Sequence, residues 1–402
     1  MNILVLTHIY PQPEDEKNSG VTPVVHNFVK EWIKLGHDVK VYHLSNKYPL
    51  FLYLLPYRLT KLLDSKFGTV IPSKNQRKSI KTSKDGFEYV RLPQKKVIPK
   101  TKLNSRKVDK LTGFIIRSLE VDDFEPDIIL GHWENPQLEL VPKLNRHFKT
   151  ARSAITFHGL VYSRQKRYKK WAQKNVNTVD KIFARSMSIS EELKSCIYVA
   201  NKIHYCYSGI DKIFTDNLED SSNFGTKKNN HYIYIGRLIN RKNIIETIKG
   251  LQKIHKNHEF VFDIIGDGQY KAEIQKFVKT NQLEKQVNFL GFKSKKFILE
   301  RLKYASFLIM ISPKETFGLV YLEAMSQAVL PIASKDSGMK GIIDNNNGYL
   351  INPDADGLYK ILQNHAQLSD DQILAMRNNA VMTASKFSHK EIAIDYLNKI
   401  IE

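Results

Sequence analysis

The sequence predicts an α/β protein built from two doubly wound parallel-sheet domains. Short continuous apolar runs alternate with segments of helical spacing along almost the whole chain, as parallel strands joined by crossover helices require. The alternation is interrupted by the polar "TDNLEDSSNFGTKKNN" at 215–230 and then begins again. At 402 residues the chain also exceeds a single core of about 150 residues.

The first series opens with "NILVL", a buried strand that lacks the basic leader and small-residue cleavage site of a secretion signal. "VTPVVHNFVKEWIKLG" has helical spacing and a natural stop at Gly36, and "HDVKVYHL" returns as a strand. "YPLFLYLLPYRLTKLLDSKF" is apolar with basic residues at intervals. It suits either an interfacial amphipathic segment or a helix packed at a domain edge. Strands follow at 87–93, 126–133 and 153–159, then strand-turn-helix at 180–193 and strand-turn at 202–211. After the polar interval, "HYIYIGRL", "EFVFDIIGDG", "VNFLGF", "SFLIMISP", "VLPIAS" and "NGYLINP" read as strands, with helices between most of them. "SHKEIAIDYLNKIIE" closes the chain as an amphipathic helix. Ligands of such sheets sit at the carboxyl ends of the strands, so the expected site is a cleft between the two domains.

No run of about 18 apolar residues occurs, so no transmembrane span is expected. Cys196 and Cys206 have neither metal-site spacing nor the density of a disulfide scaffold, which fits a reducing cytoplasm. The net charge is +21, of which +16 falls in residues 1–211. Such a surface favours anionic partners, or reflects lysine as the default solvated residue of this chain. The basic stretches lack the interleaved aromatics of a nucleic-acid stacking platform, so no nucleic-acid partner is expected.

Three stretches carry chemistry. In "SPKETFGLVYLEAMSQA" (312–328) two glutamates, Glu315 and Glu323, lie eight apart in a mostly apolar run. Glutamate is expensive to bury without a partner. Phe317-Gly318-Leu319 is expected at a helix start, where unpaired amides attract anions and Gly318 leaves room for a phosphate. A carboxylate behind it suits neighbouring hydroxyls. "YIGRLINRKN" (234–243) sets Gly236 at a strand end before Arg237, Arg241 and Lys242, which fits a diphosphate or an exposed basic turn. "IIGDGQ" (265–270) is a Gly-Asp-Gly turn whose plain reading is structural. The one Asp-x-Asp match, Asp354-Ala355-Asp356, is expected to be a solvated turn, so no metal is predicted.

The order Gly236-Arg237…Arg241-Lys242, Gly266-Asp267-Gly268, "VNFLGF", Glu315-x7-Glu323 resembles the retaining glycosyltransferases of the group 1 family, along essentially the whole chain. "SGVTPVVHNF" is similar to that family's glycine loop and first helix, "AITFHG" to its histidine strand and "YSGIDKIF" to its domain exit. The resemblance implies the GT-B fold, two Rossmann-like domains facing across a cleft. Residues 1–210 would bind acceptor and 211–385 donor, with a helix at 386–402 crossing back to the first domain. It further implies that Arg237 and Lys242 clamp a donor diphosphate, Glu315 binds the transferred sugar, and Glu323 binds the ribose hydroxyls. Gly236, Phe317, Gly318 and Leu319 would complete the donor site, Gly20 would close over it, and His158 would donate a hydrogen bond to the sugar. Two departures stand out: Ser208 replaces the usual Asn of the domain exit, and Ala328 replaces a usual Gly.

The function implied is retaining transfer of a hexose from a nucleotide-diphosphate sugar, UDP-linked by preference and GDP-linked otherwise. The acceptor would be a glycan or lipid-linked glycan of bacterial surface polysaccharide synthesis. No cofactor is implied beyond that donor substrate. The enzyme would be cytoplasmic, peripheral on the anionic inner face of the plasma membrane. The competing readings are a nucleotide-sugar epimerase of the same fold and a basic nucleic-acid-binding protein.

Overall fold

The computed structural model describes residues 1–11, 22–53, 79–84, 87–96, 101–219, 230–257 and 259–402. Gly20 and most of the amphipathic segment after Tyr48 lie outside these residues. The chain forms two compact units: Met1–Arg185 with Ile189–Cys206 and Ala393–Glu402, and Ser186–Ser188 with Tyr207–Ile392. The break lies at Cys206–Tyr207, ahead of the position expected from sequence. The terminal helix His389–Ile401 begins in the second unit and ends in the first.

In the first unit the strands are β1 (Asn2–Thr7), β2 (Asp38–His43), β3 (Asn46–Lys47), β4 (Ile80–Lys84), β5 (Phe87–Arg91), β6 (Gln94–Lys95), β7 (Ile128–His132), β8 (Arg152–Phe157), β9 (Lys181–Ala184) and β10 (Ile203–Tyr205). The main sheet runs β10-β9-β8-β7-β1-β2-β5-β4, while β3 and β6 form a separate two-stranded ribbon. Only the edge strand β4 is antiparallel, paired with β5. Ile3 to Leu6 are fully buried, as a strand covered on both faces demands. The helix Val24–Lys34 buries Val25, Phe28, Val29 and Trp32, a stripe at helical spacing. Gly36 follows it with φ +84°, the left-handed stop that glycine permits. The Trp32 indole donates to the Ala393 carbonyl at 3.0 Å, which ties the end of the chain to its beginning.

The second unit holds β11 (His231–Ile235), β12 (Val261–Ile265), β13 (Val287–Gly291), β14 (Phe307–Met310), β15 (Leu330–Ser334) and β16 (Tyr349–Ile351), all parallel, in the order β13-β12-β11-β14-β15-β16. This is the strand order of a doubly wound dinucleotide fold. The winding reverses between β11 and β14, and in the first unit between β1 and β7. Crevices at the carboxyl ends of the strands open at such reversals. Two helices that the sequence pattern does not announce, Ala355–His365 and Asp370–Ser385, pack behind this sheet. The Asp354 side chain caps the first by accepting from Gly357 N at 2.7 Å, and Asp356 pairs with Lys253. Asp354-Ala355-Asp356 is therefore a helix start, not a free turn. Among the described residues no helix is long and apolar enough to cross a membrane.

Candidate active site

The reversal point of the second sheet gathers the charges predicted from sequence. Gly236 and Arg237 leave the end of β11, and the chain then coils into a 3-10 turn at Asn240–Lys242. The segment leaving β14 brings Ser312 and Glu315 alongside. Lys242 Nζ lies 2.5 Å from Glu315 Oε2, and Arg241 Nη1 lies 3.2 Å from the same oxygen. Arg241 Nη1 also donates to Ser312 Oγ at 2.9 Å and to the Pro313 carbonyl at 3.0 Å. Ser312 Oγ stands 3.3 Å from Glu315 Oε2. Every side-chain contact of Glu315 falls on Oε2, so Oε1 has no partner among the described residues.

Burial pushes the Glu315 carboxyl upward, but Lys242 and then Arg241 outweigh it and hold the group below its ordinary range. At Lys242 burial is the larger effect and leaves the ammonium lower than usual despite Glu315. Both shifts run downward, which favours the charged form of Glu315 but not that of Lys242, because Glu315 has two counter-charges while Lys242 has one and feels Arg241 and Arg237 besides. The Arg237 side chain is exposed and forms no ion pair among the described residues, while its carbonyl accepts from Tyr234 Oη at 3.0 Å. Lys314 (φ +54°) and Asn243 (φ +50°) adopt the left-handed conformation directly beside Glu315 and Lys242. Such strain in non-glycine residues gathers where the surroundings fix a site.

The Gly-Asp-Gly turn packs directly against this loop. A Cβ on Gly266 would lie 1.9 Å from the Gly236 carbonyl oxygen, and one on Gly268 would lie 2.2 Å from that of Leu238. Leu238 N in turn donates to the Asp267 carbonyl at 2.9 Å. The turn is thus a buttress for the basic loop.

Gly318, at φ +87°, precedes the short helix Leu319–Met325, and a Cβ there would meet the Tyr321 ring at 2.6 Å. Phe317 is buried and stacks on Tyr207 at 5.6 Å between centroids, while Leu319 is half-buried. Gly338, which the sequence reading passed over, supports this loop: its N–H donates to the Glu315 carbonyl at 2.7 Å, and a Cβ would strike the Thr316 carbonyl oxygen at 2.0 Å. Its only sequence signal was a lone glycine after "IASKDS".

Glu323 is 7% exposed, and its carboxylate makes no hydrogen bond among the described residues. Burial pushes it up to about 7; Lys295 opposes that shift, and Asp211 adds to it. The charges acting on Glu323 are therefore different from those around Glu315, and the two glutamates do not share a cluster.

His158 belongs to the first unit, where it follows β8. Its Nε2 lies 3.0 Å from His132 Nδ1, and its ring stacks on Trp133 with centroids 3.9 Å apart at 13°. Burial, then Arg185, then His132 hold its pKa well below the usual value, so it is a neutral imidazole at pH 7. Trp133 adopts φ +69°, a costly conformation for a bulky residue, which presents the indole to that ring.

Two family models match the chain: Glycosyltransferase Family 4 over residues 18–212 and Glycosyl transferases group 1 over residues 216–380. An uncharacterized glycosyltransferase of Methanocaldococcus jannaschii is 28% identical over 228 residues, 56% of this chain and 60% of that protein. An α-1,4-N-acetyl-D-galactosaminyltransferase of Campylobacter jejuni, named for a diphospho-undecaprenol-linked saccharide, is 31% identical over 196 residues, 47% of this chain and 52% of that one. These alignments leave well over a third of each relative unmatched. Anabaena HepE, solved in complex with UDP and glucose, shares the fold with a TM-score of 0.61 at 16% identity, covering 100% of this chain and 99% of that one.

Proposed function

This chain belongs to the group 1 glycosyltransferases and has their GT-B fold, and from that premise we propose that it moves a hexose from a UDP-sugar, or failing that a GDP-sugar, to a glycan or lipid-linked acceptor with retention of configuration. The observation that carries this reading is the cluster of Arg241, Lys242 and Glu315 at the reversal point of the second sheet, with Arg237 beside it and not paired.

In this reading the Arg237 guanidinium and the Lys242 ammonium hold the leaving diphosphate and stabilise the charge that develops on it. Glu315, kept ionised by its two cations, presents Oε1 to the hydroxyls of the transferred sugar. Glu323 accepts from the ribose diol, which replaces hydration that its burial has removed. Gly236, Phe317, Gly318 and Leu319 shape the donor pocket, while the family pattern gives Gly20 and neutral His158, whose Nδ1 has no partner among the described residues, the roles of donor closure and of hydrogen-bond donor to the sugar. The leaving phosphate oxygen accepts the acceptor hydroxyl's proton on the face it departs from, so retention needs no carboxylate nucleophile. Positive side chains occupy the charge-neutralising role, so the reaction proceeds without a divalent metal.

The undecaprenol-linked substrate in the Campylobacter relative's name supports a lipid-linked acceptor, and the UDP complex of HepE supports the choice of base. With the basic first half of the sequence, this favours a cytoplasmic enzyme of bacterial surface polysaccharide synthesis, peripheral on the inner membrane face. The test is thermal shift against UDP, GDP and ADP, with and without EDTA. Stabilisation by UDP that survives EDTA is expected; no stabilisation by any of the three nucleotides overturns the reading.

A further inference from the structure

The first unit holds a buried cation that nothing so far employs. Lys96 follows the β3–β6 ribbon, with its N–H on the Lys47 carbonyl at 2.9 Å, and is 7% exposed. Its ammonium donates to Tyr162 Oη at 3.0 Å, and none of the described ion pairs includes it. Two of its three N–H donors therefore have no acceptor among the described residues. Burying an ammonium with one neutral hydrogen bond costs more than that bond returns.

Among the described residues no counter-charge pairs with this ammonium, and Tyr162 Oη, besides accepting from Lys96, donates to the Thr101 carbonyl at 3.3 Å. Asn135 Nδ2 lies 3.4 Å from the same Tyr162 hydroxyl. His8, just past β1, feels the Lys96 charge; burial and that charge lower it to about 4, so it stays neutral. Asn46 Nδ2 donates to His8 Nε2 at 3.1 Å. The acid acting on Tyr162, Glu134, is already saturated: it accepts from Val161 N at 2.5 Å, Tyr162 N at 2.9 Å, Ser163 N at 2.7 Å and Ser163 Oγ. His8 and Asn135 leave the carboxyl ends of β1 and β7, the strands between which the first sheet reverses its winding.

We infer that Lys96, held in place by Tyr162 and with Asn135 beside it, forms a second oxyanion site that takes a phosphate or pyrophosphate group of the acceptor. A compact ammonium with spare donors, and without a planar guanidinium fork, suits a tetrahedral phosphate. The word acceptor rests on the transferase reading above; the site rests on the first unit alone. If Lys96 served only to prop Tyr162, removing it would lower stability. As a binding cation kept at a cost, its removal leaves stability equal or higher and abolishes anion binding.

The experiment is thermal shift with inorganic pyrophosphate added to protein already saturated with UDP, in the wild type, Lys96→Met and the exposed control Lys170→Met. The wild type and the control should gain stability beyond the UDP shift. Lys96→Met should keep the UDP shift, bind pyrophosphate about tenfold or more weakly, and melt no lower than wild type without ligand. A pyrophosphate shift absent from wild type, or unchanged in Lys96→Met, overturns the inference, as does a Lys96→Met melting point several degrees lower. A missing UDP shift counts against the donor reading only, because the comparison of wild type with Lys96→Met is read in the same way.

Discussion

Lys242 and Glu315, on segments that leave different strands of the second sheet, meet in an ion pair of 2.5 Å. The pair is largely shielded, with side-chain exposures of 10% and 17%, whereas Arg241, the second cation on Glu315, is 43% exposed. Lys242→Met should therefore destabilise the protein by about 2–3 kcal/mol, because it strips a shielded carboxylate of its nearest charge. Arg241→Ala should cost under about 1 kcal/mol, being screened by solvent. Urea unfolding of both variants measures the ratio, and equal losses would contradict the ordering. In a transfer assay Lys242→Met should lower kcat by about 100-fold or more, since the cation acts on charge that appears as the diphosphate leaves.

Glu323 makes stability fall as pH rises. Its folded pKa of about 7 lies above the ordinary 4.5, so between those values the folded protein holds more protons than the unfolded chain. The stability it contributes is complete below about pH 4.5 and is lost as pH climbs through about 7, by up to about 3 kcal/mol. Glu323→Gln should flatten that slope and exceed wild-type stability at pH 8 while weakening UDP binding. Denaturation at pH 5, 6.5 and 8 checks it. A wild-type stability that climbs across this interval with no change of slope in the variant would count against the assignment.

Gly266→Ala would place a methyl group 1.9 Å from the Gly236 carbonyl oxygen, and backbone cannot yield as a side chain can. A loss of about 2–3 kcal/mol is expected, with UDP affinity falling more than overall folding, because the displaced atoms carry Arg237. Gly36→Ala meets no atom within 4 Å and should affect stability only through its backbone angle, leaving UDP affinity untouched. Parallel melting curves and UDP titrations separate the two.

Ala328 has φ +55°, which accounts for the glycine that the family usually places there. Left-handed backbone costs an L-residue about 1–2 kcal/mol, while removing the buried methyl and freeing the unfolded chain each cost just under about 1. Ala328→Gly should consequently change stability by less than about 0.5 kcal/mol. A loss above about 1 kcal/mol in urea unfolding would show that the methyl packing outweighs the strain.

The strands and the basic loop were legible because apolar runs and charge clusters are local signals. "NILVL", "HYIYI" and "FLIM" could be read directly, and Arg237, Lys242 and Glu315 followed from their spacing and the family pattern. What escaped depends on contacts distant in sequence. Gly338 matters only because the loop holding Glu315 and Thr316 passes over it. Glu323 looks equivalent to Glu315 in sequence, yet one is bound by two cations and the other by none. The helix Asp370–Ser385 has little amphipathic contrast, so periodicity did not announce it; its capping box of Ser369 and Gln372 was the available clue. Strand β4 was hidden because "IKTSK" is polar, as an exposed sheet edge permits.

The tie between Trp32 and Ala393 has a consequence for biosynthesis. A ribosome delivers the amino-terminal part first, yet Phe28, Trp32 and Phe183 pack against Tyr396, which is translated only after the whole second unit. The nascent amino-terminal half must therefore wait, with an apolar groove uncovered, until that unit has been made. A chain cut before Ala393 would leave that groove open for good.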